Sequence, residues 1–156
     1  MQWNKVWLML HLYFAFSFVG SLMVAEWLGG MARRAPEWRD RAQLFEVLRR
    51  STQWAGLVPL VLLGVLGNVV ATGTGLRMAA DPWLRTVNGA WLLMLIVMVA
   101  VALPSIRRLA ALSRATATGG ASAGYEGALR NWRFANLALM LLYIAQLALM
   151  VSQAKL

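Results

Sequence analysis

Four apolar stretches, each long enough to cross a lipid bilayer, set the limits on what this chain can become. They run roughly from Val6 to Leu28, Trp54 to Ala71, Thr86 to Pro104 and Phe134 to Ser152. A helix needs about 20 residues to span a hydrocarbon core. Inside that core every backbone N–H and C=O requires an internal partner, so a spanning segment is a helix or a strand of a closed barrel. The period-two alternation of barrel strands is absent. The expectation is an all-α integral membrane protein, a bundle of four transmembrane helices forming one domain over residues 1–156. Composition agrees: 60% of residues are hydrophobic and 13% are charged, half the charge of a typical soluble domain. A soluble enzyme and a disordered chain are both excluded. Lys5 precedes the first span as in a signal peptide, but the apolar run is too long and no small-residue cleavage site follows. It is read as an uncleaved helix.

Charge orients the spans. The formal net charge is +9. In a bilayer protein such an excess signals topology and lipid contact rather than nucleic-acid binding. The first loop, 29–52, carries Arg33, Arg34, Arg39, Arg41, Arg49 and Arg50, and the third, 105–133, carries Arg107, Arg108, Arg114, Arg130 and Arg133. The opposite side holds only Lys5, Arg77, Arg85 and Lys155. The positive-inside rule then puts both Arg-rich loops in the cytoplasm, on anionic lipid, and both termini outside, across a bacterial inner (plasma) membrane. Trp3, Trp7, Trp54, Trp83 and Trp132 fall near span ends, as an aromatic belt would. Within the first loop, Trp38, Ala42, Phe45 and Leu48 share one helical face behind Pro36. This predicts a short amphipathic helix lying in the membrane interface, or docking a partner.

Ionisable groups within spans are the default functional candidates. His11, the only histidine, lies early in span one, and Glu26 lies near its far end. The fifteen helical steps that separate them cover about 22 Å. They are expected on one face but cannot form a dyad. His11 is a candidate metal or haem axial ligand, or simply a histidine bonded to a neighbouring helix. One histidine per chain supplies one axial ligand, or two across a homodimer. Glu26 is expected either to relay protons or to pair with Arg33 or Arg34. Asn68 and Thr72 with Gly64 on span two, and Tyr143, Gln146, Asn136 and Met150 on span four, are expected to face the bundle interior as pocket lining or hydrogen-bonding glue. Gly67, Ala71 and Gly75 form a row of small residues that permits close helix approach. Met94 and Met98 are spaced for paired thioethers, which suit Cu(I) and also ordinary packing. With no cysteines, disulfides, thiolate zinc sites and iron–sulfur clusters are excluded. No phosphate-binding loop or nucleophile set is present.

Three features together carry a resemblance: His11 before Phe18-Val19-Gly20-Ser21, the span-two end Thr72-Gly73-Thr74-Gly75, and Pro82-Trp83-Leu84 followed by Thr86-Val87-Asn88-Gly89-Ala90-Trp91-Leu92-Leu93. The chain resembles small four-helix membrane domains of the CopD-type copper-resistance and HemJ-type protoporphyrinogen oxidase superfamily, over most of its length. The resemblance implies a role in haem or copper biology, with His11 as ligand to haem b. The lysine that HemJ-type activity requires would fall near Val87 or Asn88 and is absent. Arg85, the nearest cation, does not replace it. The expectation is therefore a protein that is non-catalytic alone, with a cofactor site of His11, Asn68, Thr72, Tyr143 and Gln146. A second expectation, from a different class, is an accessory subunit contacting other membrane subunits of a respiratory or photosynthetic complex.

Overall fold

The computed structural model describes residues 3–77, 80–121 and 123–153. Six α-helices follow in order: α1 (Trp3–Arg34), α2 (Trp38–Ser51), α3 (Val58–Gly73), α4 (Pro82–Val97), α5 (Leu103–Ala117) and α6 (Tyr125–Gln153). A π-helical turn over Thr52–Leu57 joins α2 to α3, and another over Met98–Ala102 joins α4 to α5. The chain thus forms four long helices, two of them unbroken over 36 residues (Trp38–Gly73 and Pro82–Ala117). All four are long and apolar enough to cross a membrane. α1 packs on α3, α3 on α4, α4 on α6 and α6 on α1, closing the bundle. This is the all-α four-helix membrane architecture that the apolar stretches predict.

Local chemistry explains the element ends. Asp81 caps α4, its Oδ1 accepting from the backbone N–H of Trp83 at 2.9 Å and of Leu84 at 3.3 Å, with Pro82 in the first turn where no N–H is needed. Gly75 follows α3 at φ +86°, a left-handed turn that glycine adopts without strain. It therefore lies outside the small-residue row expected of span two. Each π turn comes just before a proline, Pro59 or Pro104. Proline supplies no N–H and crowds the carbonyl one turn back, and a π turn absorbs both defects. The two turns lie close together: a Cβ on Gly56 would meet the Met98 side chain at 3.4 Å.

The bundle has two cores. One lies within the apolar band and includes Phe18, Leu60, Leu63, Met94, Met98, Leu139 and Tyr143. The other lies at the Arg-rich end, where Phe45 and Leu48 of α2 meet Ile106 and Leu109 of α5 and Tyr125 and Trp132 of α6. A helix of 36 residues is about 54 Å long, against a hydrocarbon core of about 30 Å. The α2 and α5 segments therefore project beyond the membrane as a helical cap.

The cap corrects several expectations. Residues 29–34, 38–52, 105–117 and 125–133 are helical, not loop. The amphipathic helix over Trp38–Ser51 exists, and Ala42, Phe45 and Leu48 are buried on its apolar face. That face is covered by α1, α5 and α6, not by lipid, and the helix continues into the span instead of lying in the interface. Trp132 is 1% exposed and belongs to the cap core. A Cβ on Gly29 would overlap its ring, so Gly29 makes room for it. Trp54 is 69% exposed, as a belt residue should be. The side chain of Trp3, and Lys155, lie outside the described residues.

Candidate functional site

At the end of the bundle that carries the chain termini, α1, α3, α4 and α6 line a partly open cavity of about 230 Å³. It exists because α3 offers glycines to its neighbours. Gly64 leaves space for the Trp91 indole, whose Nε1–H donates to the Leu60 carbonyl at 2.8 Å. Gly67 lies under the His11 ring, where a Cβ would sit 3.0 Å from Cε1. Gly73 receives Asn4, whose Nδ2 donates to the Gly73 carbonyl at 3.1 Å. In each case the missing side chain exposes helix backbone to a polar group from another helix.

His11 is held by its Nδ1, 3.0 Å from the carbonyl oxygen of Leu63. A carbonyl only accepts, so Nδ1 carries the proton and Nε2 is left as an acceptor. This tautomer, fixed by a backbone carbonyl, is the one that metal-binding histidines commonly use. Beside it Asn68 donates through Nδ2 to the Gly64 carbonyl at 2.9 Å and to Asn88 Oδ1 at 2.7 Å. Asn88 in turn donates to the Leu84 carbonyl at 2.9 Å. The pair links α3 to α4. Gln146 also lines the cavity, and its buried amide oxygen has no hydrogen-bond partner. Trp83 completes the lining, anchored by Nε1–H donating to the Leu149 carbonyl at 2.9 Å.

Of the five residues expected at a site, the structure brings together His11, Asn68 and Gln146. Thr72 is exposed, with its hydroxyl turned back to the Asn68 and Val69 carbonyls. Tyr143 belongs to the membrane core: it stacks at a tilt against Phe18 and donates to the Ala15 carbonyl at 3.1 Å. Both hydroxyls find carbonyls nearer than the cavity. Trp83 and Trp91 were missed as lining residues, although a tryptophan opposite a glycine stripe is a readable signal. Glu26 does not share an interior with His11. It is exposed, and accepts from Asn136 Nδ2 at 3.1 Å rather than pairing with Arg33 or Arg34. Met94 and Met98 are fully buried in the membrane core as packing.

Comparisons with protein-family models, with characterised proteins and with solved structures found no match.

The donor set then decides which cofactors fit. Ligand cavities for drug-sized molecules begin at about 300 Å³. The cavity, about 230 Å³ and partly open, lies below that range, and His11 offers one axial position to a haem iron. Among the described residues no three His, Cys, Asp or Glu side chains gather to hold a metal ion. His11 Nε2 is a single good ligand in an apolar, partly enclosed space.

A separate polar cluster stabilises the cap. Glu46 accepts from Arg49 Nη2 at 2.6 Å and from Arg50 Nε at 3.1 Å, and Arg114 of α5 stands 3.8 Å away. These guanidinium groups hold its carboxyl down at about 2.

Proposed function

We propose that this chain is a membrane-embedded binding protein, non-catalytic by itself, whose cavity takes a single hydroxylated aromatic ring against His11. The arrangement that supports this is the fixed His11 tautomer, with Nε2 as an acceptor beside two indoles. The cavity, about 230 Å³, falls between the ~150 Å³ that accepts benzene and the ~300 Å³ where drug-sized sites begin. Trp83 and Trp91 supply aromatic surface for a ring. An acceptor nitrogen selects a ligand that brings its own O–H. By the positive-inside rule the Arg-rich cap lies in the cytoplasm and the cavity in the outer half of a bacterial inner membrane.

The test is titration of the detergent-purified chain with phenol and with a short-chain hydroquinone, followed by tryptophan fluorescence. Saturable quenching, weakened about tenfold in His11→Ala, is expected; tenfold corresponds to ~1.4 kcal/mol, a strong hydrogen bond. No saturable change would overturn the reading. A Soret band lost in His11→Ala would replace it with haem ligation by His11. A second reading, an accessory subunit of a larger membrane complex, draws on the projecting cap, where Arg39, Arg50, Arg107, Arg108 and Arg114 are exposed. It requires a subunit that co-purifies with the wild-type chain and is lost when these arginines are replaced.

A further inference from the structure

A second concave site lies outside the cavity, between α1 and α6 at the border of the lipid-facing surface. It is a groove of about 610 Å³. Glu126, Arg130, Arg133, Leu137 and Met140 recur along α6 at steps of four, three, four and three, so they share one helical face. From the Arg-rich end inward, that face runs from charged to apolar. Phe134, 70% exposed, stands beside it. Glu26 of α1 closes the other side, held by Asn136.

The four ionic side chains do not pair with one another. Among the described residues, the ion pairs all involve Glu46. Two carboxylates and two guanidinium groups therefore line one groove with balanced charge. The depth is also defined. The exposed apolar residues of α1 end near Trp27 and Met31, and those of α6 begin at Phe134. The charges thus sit at the level of lipid headgroups, with apolar wall beneath them.

We infer that this groove binds phosphatidylethanolamine. Arg130 and Arg133 take the phosphate, Glu126, one turn farther out, takes the ammonium, and an acyl chain lies over Phe134 and Leu137. Guanidinium forks match phosphate oxygens, and an ammonium gives a carboxylate charge-assisted hydrogen bonds. A phosphatidylglycerol headgroup brings the phosphate and neutral hydroxyl donors but no cation for Glu126, and a groove of balanced charge does not attract its net negative charge. The quaternary ammonium of phosphatidylcholine has no N–H to donate. The inference is independent of the ligand assigned to the cavity.

The full chain, delipidated in detergent, is incubated with an equimolar mixture of phosphatidylethanolamine, phosphatidylglycerol and phosphatidylcholine. Retained lipid is then read by native mass spectrometry. An exposed ion pair gives 0.2–1 kcal/mol, so a preference of about threefold for phosphatidylethanolamine is expected. Glu126→Gln should reduce phosphatidylethanolamine to the phosphatidylcholine level while phosphatidylglycerol rises. Arg133→Gln should weaken retention of all three lipids, since each carries the phosphate. Glu126→Asp should keep the preference. All these side chains are exposed, and thermal unfolding of each variant checks that the bundle is intact. Three outcomes overturn the inference: phosphatidylglycerol retained most by the wild type, equal retention of all three lipids, or a preference that survives Glu126→Gln.

Discussion

Replacing Gly64 by alanine tests whether the glycines of α3 are seats for side chains of other helices. A Cβ at this position would overlap the Trp91 indole, a rigid ring that cannot bend away as a lysine tip could. Trp91 must rotate out and release its bond to the Leu60 carbonyl. Overpacking of this kind costs about 1–3 kcal/mol, and the lost hydrogen bond about 1 kcal/mol. Alanine returns about 1 kcal/mol of helix propensity. The balance is a destabilisation of about 2 kcal/mol. At 2–4 °C per kcal/mol for a chain of this size, the melting temperature should fall by about 4–8 °C. Gly20→Ala is the control, because nothing lies within 4 Å of its Cβ; it should be neutral or raise stability by up to ~1 kcal/mol. Thermal unfolding in detergent, followed by tryptophan fluorescence, reads both. Trp91→Leu placed in the Gly64→Ala background removes the overlap, so the double variant should lose less than the two single losses together. If Gly64→Ala and Gly20→Ala melt alike, the glycine-seat reasoning is wrong.

Other expectations concern the cap and the polar link between helices. Glu46 sits at about 2 when folded, below the usual carboxylate value, so its contribution is complete above pH ~4.5 and is lost as pH falls through ~2. Because the side chain is 24% exposed, water screens that contribution to about 1 kcal/mol. Glu46→Gln should melt about 2–4 °C lower at neutral pH and match the wild type near pH 2 in the same detergent scan. Phe45→Ala empties a fully buried site between α2, α5 and α6 and should cost about 3–5 kcal/mol; trypsin digestion at the cap arginines should accelerate, and unchanged digestion would mean the cap is not a packed core. Asn68→Leu removes the donor to Asn88 and should cost about 0.6 kcal/mol, the typical value for a hydrogen bond between membrane helices; a loss above 3 kcal/mol in denaturant titration would show that the pair is more than a link. A reporter fused after Leu156 should be active only outside the cytoplasm, and cytoplasmic activity would invert the proposed orientation.

The spans were legible because hydrocarbon punishes any other backbone. His11, Asn68 and Gln146 were legible for the same reason, since polar groups in such segments turn away from lipid. What covers a face was not legible. Periodicity in Trp38–Ser51 shows that Ala42, Phe45 and Leu48 point one way, but lipid and protein satisfy that face equally well. The answer lies some sixty residues on, in Ile106, Leu109, Ala110 and Ser113, all buried at helical spacing on α5. Dense arginines around them lowered the local hydropathy and made a helix read as a loop. Trp132 failed differently. Its position at a span end suggested the interface, and only the pairing with Gly29, more than one hundred residues away, reveals a core side chain. Thr72 and Tyr143 were placed on plausible faces, but a hydroxyl bonds the nearest carbonyl, which sequence spacing alone does not identify.

The two π turns have a consequence for how this chain tolerates insertions and deletions. A π turn holds one residue more than an α-helical turn. Removing a residue from Thr52–Leu57, with Pro59→Ala to spare the carbonyl it crowds, leaves α3 in phase with α1 and α2 in phase with α5. The same deletion between Leu60 and Gly67 would turn every following side chain by about 100° and carry the glycines away from Trp91 and His11. Changes in chain length are thus absorbable at one height of the bundle and ruinous a few residues away.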